Sequence, residues 1–244
     1  MMKPFLLIAL LLAMFGLWTN ALQARFGSLD IQGSDIPVVV ELYTSQGCSS
    51  CPPADEMLHD LAARPDVIAL ALHVDYWDYI GWADIFADPA YTLRQQNYAR
   101  VAGASSIYTP QMVIGGQDHV VGAKPMDVMN HIQTHANSPT GTRISLQRSG
   151  NRLQISGETS RPLRSGTIVQ LVRYSPQETV DIRRGENAGR SISYANIVTQ
   201  WSNLGEWSGR GGLDLSVDIS GTSPIVVIVQ EPGPGAIMAT AQLP

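Results

Sequence analysis

Cysteine is scarce in this chain: among 244 residues there are two, and both fall in one short stretch, Cys48-Ser49-Ser50-Cys51. With no second pair, a metal site of the usual three or four ligands would have to recruit help from elsewhere, with His73 as the nearest candidate by type. Charge is scarce too, at 15% of residues, with a formal net charge of −5 and no basic run. That excludes the electrostatic footprint of a nucleic-acid-binding protein and of one that docks on an anionic membrane surface. No phosphate loop or dinucleotide fingerprint is present, since Gly115-Gly116 follow a strand pattern but precede a hairpin. Ser45, Ser49 and Ser50 lie near the cysteines without any motif that sets a histidine beside them, which leaves serine-based catalysis unsupported. Internal repeats and low-complexity tracts are missing as well. The hydrophobic content of 44% is that of a globular chain with a sizeable core.

What is present starts at the N-terminus. Lys3 precedes an uninterrupted apolar stretch from Phe5 to Trp18, followed by Thr19-Asn20-Ala21 and Ala24. A basic start, an apolar core of about 7–15 residues and small residues at the end describe a secretory signal peptide. The run is short for a membrane span, which needs about 20 apolar residues. Residues 1–21 are therefore expected to be a signal peptide cleaved after Ala21, or as late as Ala24, with an uncleaved anchor as the alternative. No cysteine stands just after the apolar run to carry a lipid, the first being Cys48. The expected location is periplasmic or secreted, with no membrane contact beyond export.

From Pro37 onward, strand and helix patterns alternate. Pro37 to Tyr43 is a β-branched run and reads as a buried strand. The two cysteines come next, and Pro52-Pro53-Ala54-Asp55-Glu56 opens a helix, with proline tolerated and acid favoured in the first turn. Val67 to Tyr76 reads as a second strand, Asp88 to Val101 as a helix, Met112 to Ile114 and His119 to Val121 as strands joined by a glycine turn. Lys124 to Ala136 reads as a closing helix. Beyond a linker at 137–141 the apolar period becomes two, as at Leu213, Leu215, Val217 and Ile219, and Ser149-Gly150-Asn151 has the composition of a hairpin turn. The expectation is an α/β domain over 37–137, then a β-sandwich-like, all-β domain of about eight short strands over 142–244.

Chemistry concentrates at the cysteine pair. A strand-to-helix junction places Cys48 at a helix N-terminus, where backbone N–H groups and the dipole favour a thiolate, and leaves Cys51 deeper as a resolving thiol. Pro110, directly before the third strand, is a candidate cis-proline. Glu41 is an acid inside an apolar strand, either a proton relay for Cys51 or a strand-end acid that reaches solvent.

Strand, Cys-x-x-Cys, helix, and later Thr-Pro before a strand and hairpin resemble the thioredoxin superfamily. The stretch Thr109-Pro110-Gln111-Met112-Val113-Ile114-Gly115-Gly116, with Val121-Gly122, is similar to the glutaredoxin form of that element. The resemblance implies a thioredoxin-like fold for the first domain and a cis peptide between Thr109 and Pro110, with Pro110 against the cysteines. It also implies substrate contact at Thr109 and its neighbours Tyr108 and Gln111. The chain further resembles a secreted bacterial family, domain of unknown function 1223. The resemblance rests on Glu41-Leu42-Tyr43-Thr44-Ser45-Gln46-Gly47-Cys48 through Asp55, on His73 to Tyr79, on Tyr108 to Gln111 and on Arg184 to Arg190. The chain departs from thioredoxins in having Ser-Ser between the cysteines. Its acid stands seven residues before Cys48, one further than usual, and is Glu rather than Asp.

The expected function is thiol–disulfide exchange by Cys48 and Cys51 with protein or small-molecule thiols and disulfides, recycled by a redox partner the sequence does not identify, and without cofactor or metal. Two alternatives stay open: a binding module with a structural disulfide, and a metal carrier. His73 and Asp75 read as groups satisfied by local hydrogen bonds. The aromatic segment Tyr76 to Phe86 reads as packing of a helical cap or as the lining of a peptide groove. Arg183 to Arg190 reads as a solvated surface turn or as a recognition loop.

Overall fold

The computed structural model describes residues 36–163 and 166–244, so the expected signal peptide lies outside the described residues. The described residues form one compact unit. Its first half reads β1 (Val38–Thr44), α1 (Pro52–Ala62), β2 (Val67–His73), a short turn of 3-10 helix at Asp78–Ile80, and α2 (Pro89–Val101). It continues with β3 (Gln111–Ile114), β4 (Asp118–Val121) and α3 (Pro125–Ala136). Each helix has proline in its first turn, and Asp88 caps α2 by accepting from the Ala90 N–H. The second half holds β5 (Thr142–Ser149), β6 (Arg152–Thr159), β7 (Thr167–Asp181), β8 (Ser191–Trp207), β9 (Leu213–Asp218), β10 (Ile225–Gln230) and β11 (Ile237–Leu243).

The class is mixed α/β, as the alternating pattern requires, but the division into two separate domains gives way to a shared sheet. One eight-stranded sheet runs in the order β11-β10-β7-β8-β2-β1-β3-β4, so strands of both halves belong to it. The joint is a parallel pairing of β8 with β2 at Ile197 and Ala71. In place of the expected eight short strands, the described residues of this half hold seven, two of them long: β7 has 15 residues and β8 has 17, bent by register shifts between Val169 and Gln170 and between Arg173 and Tyr174. Strands β5, β6 and β9 form a second sheet. It packs Leu153, Ile155 and Leu213 against Val169, Leu171, Val227 and Val229 of the large one. A two-layer sandwich is thus present, but one layer is the continuation of the α/β sheet.

Strand periodicity sorts the core. Val38, Val40 and Leu42 of β1 face α1 and α3, packing on Ala54, Leu58, Val128 and Ile132. Val39 and Tyr43 point the other way, toward Tyr91 and Tyr98 of α2 and toward Val172, Tyr174 and Val198 of the second half. Strands β1 and β2 are buried at every position, which explains their continuous apolar runs. The second strand stops at His73, three residues before the expected end, because Val74 closes the ladder on the Thr44 carbonyl and the chain then turns.

Candidate active site

The loop between β1 and α1 carries the cysteines, and Cys48 and Cys51 are joined as a disulfide. Helix α1 begins at Pro52 with Cys51 as its N-cap residue, so the residue at the helix end is Cys51 and Cys48 lies one turn ahead of it. The Cys51 N–H donates to the Cys48 carbonyl, and the N–H groups of Ala54 and Asp55 donate to the Cys51 carbonyl. Ser49 and Ser50 are exposed, whereas Cys48 and Cys51 are 1% and 0% exposed. The Ser50 hydroxyl lies 3.4 Å from Cys48 Sγ, within reach of a hydrogen bond to sulfur.

Two separate parts of the chain, the 183–190 turn and the aromatic segment, hold this loop. The buried Asn187 amide donates to the carbonyls of Gln46 and Cys48 at 3.0 and 2.9 Å. Asp84 accepts from the Gln46 N–H at 2.8 Å, and Trp82 Nε1 donates to Gln46 Oε1 at 2.7 Å. Trp77 packs on Gly47 and donates through Nε1 to Thr109 Oγ1 at 2.8 Å. The aromatic segment therefore links the cysteine loop to the Thr109-Pro110 element. The 183–190 turn, whose default reading is solvated, in fact docks Asn187 on the cysteines.

The Thr109–Pro110 peptide is cis, as the resemblance implied. Pro110 is buried, and a side chain at Gly122 would meet the Cβ atoms of Pro110 and Ala54 at 3.0 and 3.1 Å. That close approach requires glycine at Gly122 and sets Pro110 beside the first turn of α1. Thr109 is half-buried under Trp77, and Tyr108 is 37% exposed. Gln111 is turned inward, on the Tyr43 face of the sheet, where it accepts from Gln95 Nε2 at 2.8 Å. Its side chain is committed to the core network, because position 111 shares the strand parity of Tyr43.

Glu41 does not lie under the cysteines. Alternation along β1 puts it on the α2 face, while α1 covers the opposite one. There its carboxylate accepts from Arg94 Nε and Nη2 at 2.7 and 2.8 Å, from Tyr98 at 2.6 Å and from Tyr43 at 3.0 Å. Burial opposes the charge on Arg94, but Glu41 and Tyr98 more than offset this and hold its pKa above the usual value. The proton relay expected of Glu41 is replaced by a buried bidentate ion pair. The one-residue offset in spacing is the physical reason, since a shift of one along a strand exchanges faces.

On the cysteine face stand other polar groups. Asp55, in the first turn of α1, is 3% exposed and accepts from Thr44 Oγ1 at 2.8 Å. Burial pushes its pKa up to about 7, against the opposing influence of His73 and the Thr44 hydrogen bond. His73 is fully buried and pairs through Nδ1 with Asp84 at 2.7 Å. This satisfies half of it, as expected for a structural histidine, but Nε2 has no partner among the described residues. Asp75 accepts from Thr92 at 2.5 Å. Asp55 could have been singled out from the sequence, being one helical turn past Cys51. Asn187 could not, at a separation of 139 residues.

Among the described residues no group of three or more His, Cys, Asp or Glu side chains is arranged to hold a metal ion. No described helix is long and apolar enough to cross a membrane. A family model, protein of unknown function (DUF1223), matches residues 39–230. The chain belongs to the DUF1223 family. Among solved structures, the chain is similar to the crystal structure of a protein from Agrobacterium tumefaciens, with 31% identity and a TM-score of 0.74 over 85% of this chain and 94% of that one. It is also similar in fold to HBP35 of Porphyromonas gingivalis, with 13% identity and a TM-score of 0.59 over 86% of this chain and 75% of that one. No curated protein matches. These likenesses fix the family and the fold of this DUF1223 protein and carry no reaction with them.

Proposed function

We propose that this DUF1223 protein is an exported thiol–disulfide oxidoreductase whose redox centre is the Cys48–Cys51 pair. The observation that carries the reading is the position of that disulfide, in the loop between the central strand β1 and the first turn of α1, with Pro110 packed beside the same turn. The order of β2, β1, β3 and β4, with β2 parallel and β3 antiparallel to β1, supports a thioredoxin-like arrangement of the first half. Export rests on the apolar N-terminal pattern and suits a chain whose two cysteines are paired.

Substrate reduction balances as follows. The Cys48 thiolate attacks one sulfur of a substrate disulfide and expels the other as a thiolate. The Cys51 thiolate then attacks Cys48 Sγ, re-forms the protein disulfide and releases the second substrate thiol. The protein dithiol is oxidised by two electrons and the substrate disulfide is reduced by two; the oxidase direction is the reverse. The Ser50 hydroxyl, 3.4 Å from Cys48 Sγ, is placed to donate to that thiolate. Exposed Tyr108 and half-buried Thr109 immediately precede Pro110 and are the proposed contacts for substrate.

The burial of both cysteines supports a second reading, a binding module stabilised by a fixed disulfide. Variants separate the two. Cys48→Ser abolishes turnover in the first reading, and Cys51→Ser accumulates a mixed disulfide with substrate. In the second, reduced protein exchanges with no added disulfide and neither variant traps an adduct.

A further inference from the structure

Beneath the cysteine loop lies a buried set of polar atoms with no hydrogen-bond partner among the described residues: Asp55 Oδ2, His73 Nε2, Tyr194 Oη and Gln46 Nε2. Buried polar groups are ordinarily satisfied, so several orphans in one place call for a function. They share one neighbourhood. The rings of His73 and Tyr194 are 4.9 Å apart between centroids, Asp55 feels the charges of His73 and Asp84, and Tyr194 feels those of Asp55 and Asp84. Asp84 Oδ2 accepts both from His73 Nδ1 and from the Gln46 N–H of the cysteine loop. Four elements converge on Asp55: Thr44 from β1, His73 from β2, Asp84 from the aromatic segment, and Tyr194 from β8, with Arg190 acting on Tyr194.

Resting on the exchange reading above, we propose that Asp55, positioned by the His73–Asp84 pair and by Tyr194 of the second half, takes and returns the proton of Cys51. Cys51 and Asp55 are one helical turn apart on α1, linked by the Asp55 N–H to Cys51 carbonyl bond, so their side chains share a face. In the resolving step the Cys51 S–H bond breaks and its proton passes to the Asp55 carboxylate. The sulfur lone pair then forms the S–S bond to Cys48, and the electrons of the broken Cys48–substrate bond leave on the substrate thiolate. In the opposite direction protonated Asp55 gives the proton back as Cys51 leaves. Thr44 steadies one carboxylate oxygen, which leaves Oδ2 for the proton. Burial outweighs the opposing charge of His73 and the Thr44 hydrogen bond and keeps the acid near neutrality, able to run both ways.

The test is the resolving rate of the reduced full-length protein with oxidised glutathione, read by acid quench as a function of pH, in wild type and Asp55→Asn. The expected result is a rate in wild type that rises through an inflection near pH 7, and in the variant a loss of that inflection with resolution about 100-fold slower at neutral pH. A variant with the wild-type profile overturns the assignment. Should Asp55→Asn fail to fold, the carboxyl carbon of Asp55 followed by NMR in oxidised wild type decides: a midpoint near 7 supports it, and one in the ordinary aspartate range overturns it. A wild type that forms no mixed disulfide overturns the exchange reading instead, and is distinguished by failing before any variant is compared.

Discussion

Two buried acids, Glu41 and Asp55, take opposite roles for a simple reason of partners. Glu41 meets the guanidinium of Arg94 in a bidentate pair, whereas Asp55 accepts one hydroxyl hydrogen bond, and burial raises its pKa to about 7 against the opposing influence of His73. The stability consequence has a definite sign. An unfolded aspartate releases its proton near pH 3.9, while folded Asp55 keeps its own to about 7. Between those values the folded state binds more protons, so stability falls as pH rises through the window and levels off above it. The shift corresponds to about 4 kcal/mol. Urea unfolding of oxidised protein across this window is therefore expected to show a decline that Asp55→Asn lacks, and equal pH slopes for the two proteins would contradict it. At this scale the cysteine pair and Pro110 were legible from spacing, because their chemistry is local in sequence. The face that Glu41 occupies was not, because strand parity decides it and Glu41 stands one residue off the cysteine face.

At the scale of elements, helices α1, α2 and α3 begin within one residue of their expected starts, since proline marks each first turn, with an acid in that turn in α1 and α3 and at the N-cap in α2. The turn Arg183 to Arg190 was misleading: its charge and glycine content describe a surface loop, yet Asn187 is buried and holds the cysteine loop by two hydrogen bonds. Asn187→Ala leaves the Gln46 and Cys48 carbonyls short of a donor and is expected to cost about 1–3 kcal/mol. The check is the urea midpoint together with amide exchange at Gly47 and Cys48, which should accelerate more than exchange in α3. Unchanged protection at those amides would show that the clasp contributes nothing. The strand pattern of the second half was readable as period two, but the pairing partner of β8 was not, because a parallel crossover joint leaves no mark in either strand's own pattern.

Across the whole molecule the two halves are joined at three levels. Strand β8 continues the sheet beside β2, and Tyr174 and Val198 share a core with Tyr43 and Tyr98. Arg94 adds a polar weld: it binds Glu41 of β1, Gln170 of β7 and Gln230 of β10, and stacks 3.9 Å over Trp201 of β8. Arg94→Met would leave Glu41 as an unpaired buried carboxylate and is expected to lower stability by about 3–5 kcal/mol. Because this cluster lies on the sheet face away from the cysteines, exchange per folded molecule should persist. Loss of exchange in folded Arg94→Met would contradict the separation of the two faces. The joined architecture also brings the second half to the cysteine loop and to Asp55, since Asn187 and Tyr194 both come from it.

The claim on which the account depends is that Cys48–Cys51 is a working redox couple, and its reduction potential in the purified protein, set against defined thiol buffers, tests that most directly. The account predicts a value between roughly −120 and −270 mV, the range of catalytic dithiols. A value below about −300 mV would mark a structural disulfide and would leave this DUF1223 protein a binding module with a fixed clasp in its core.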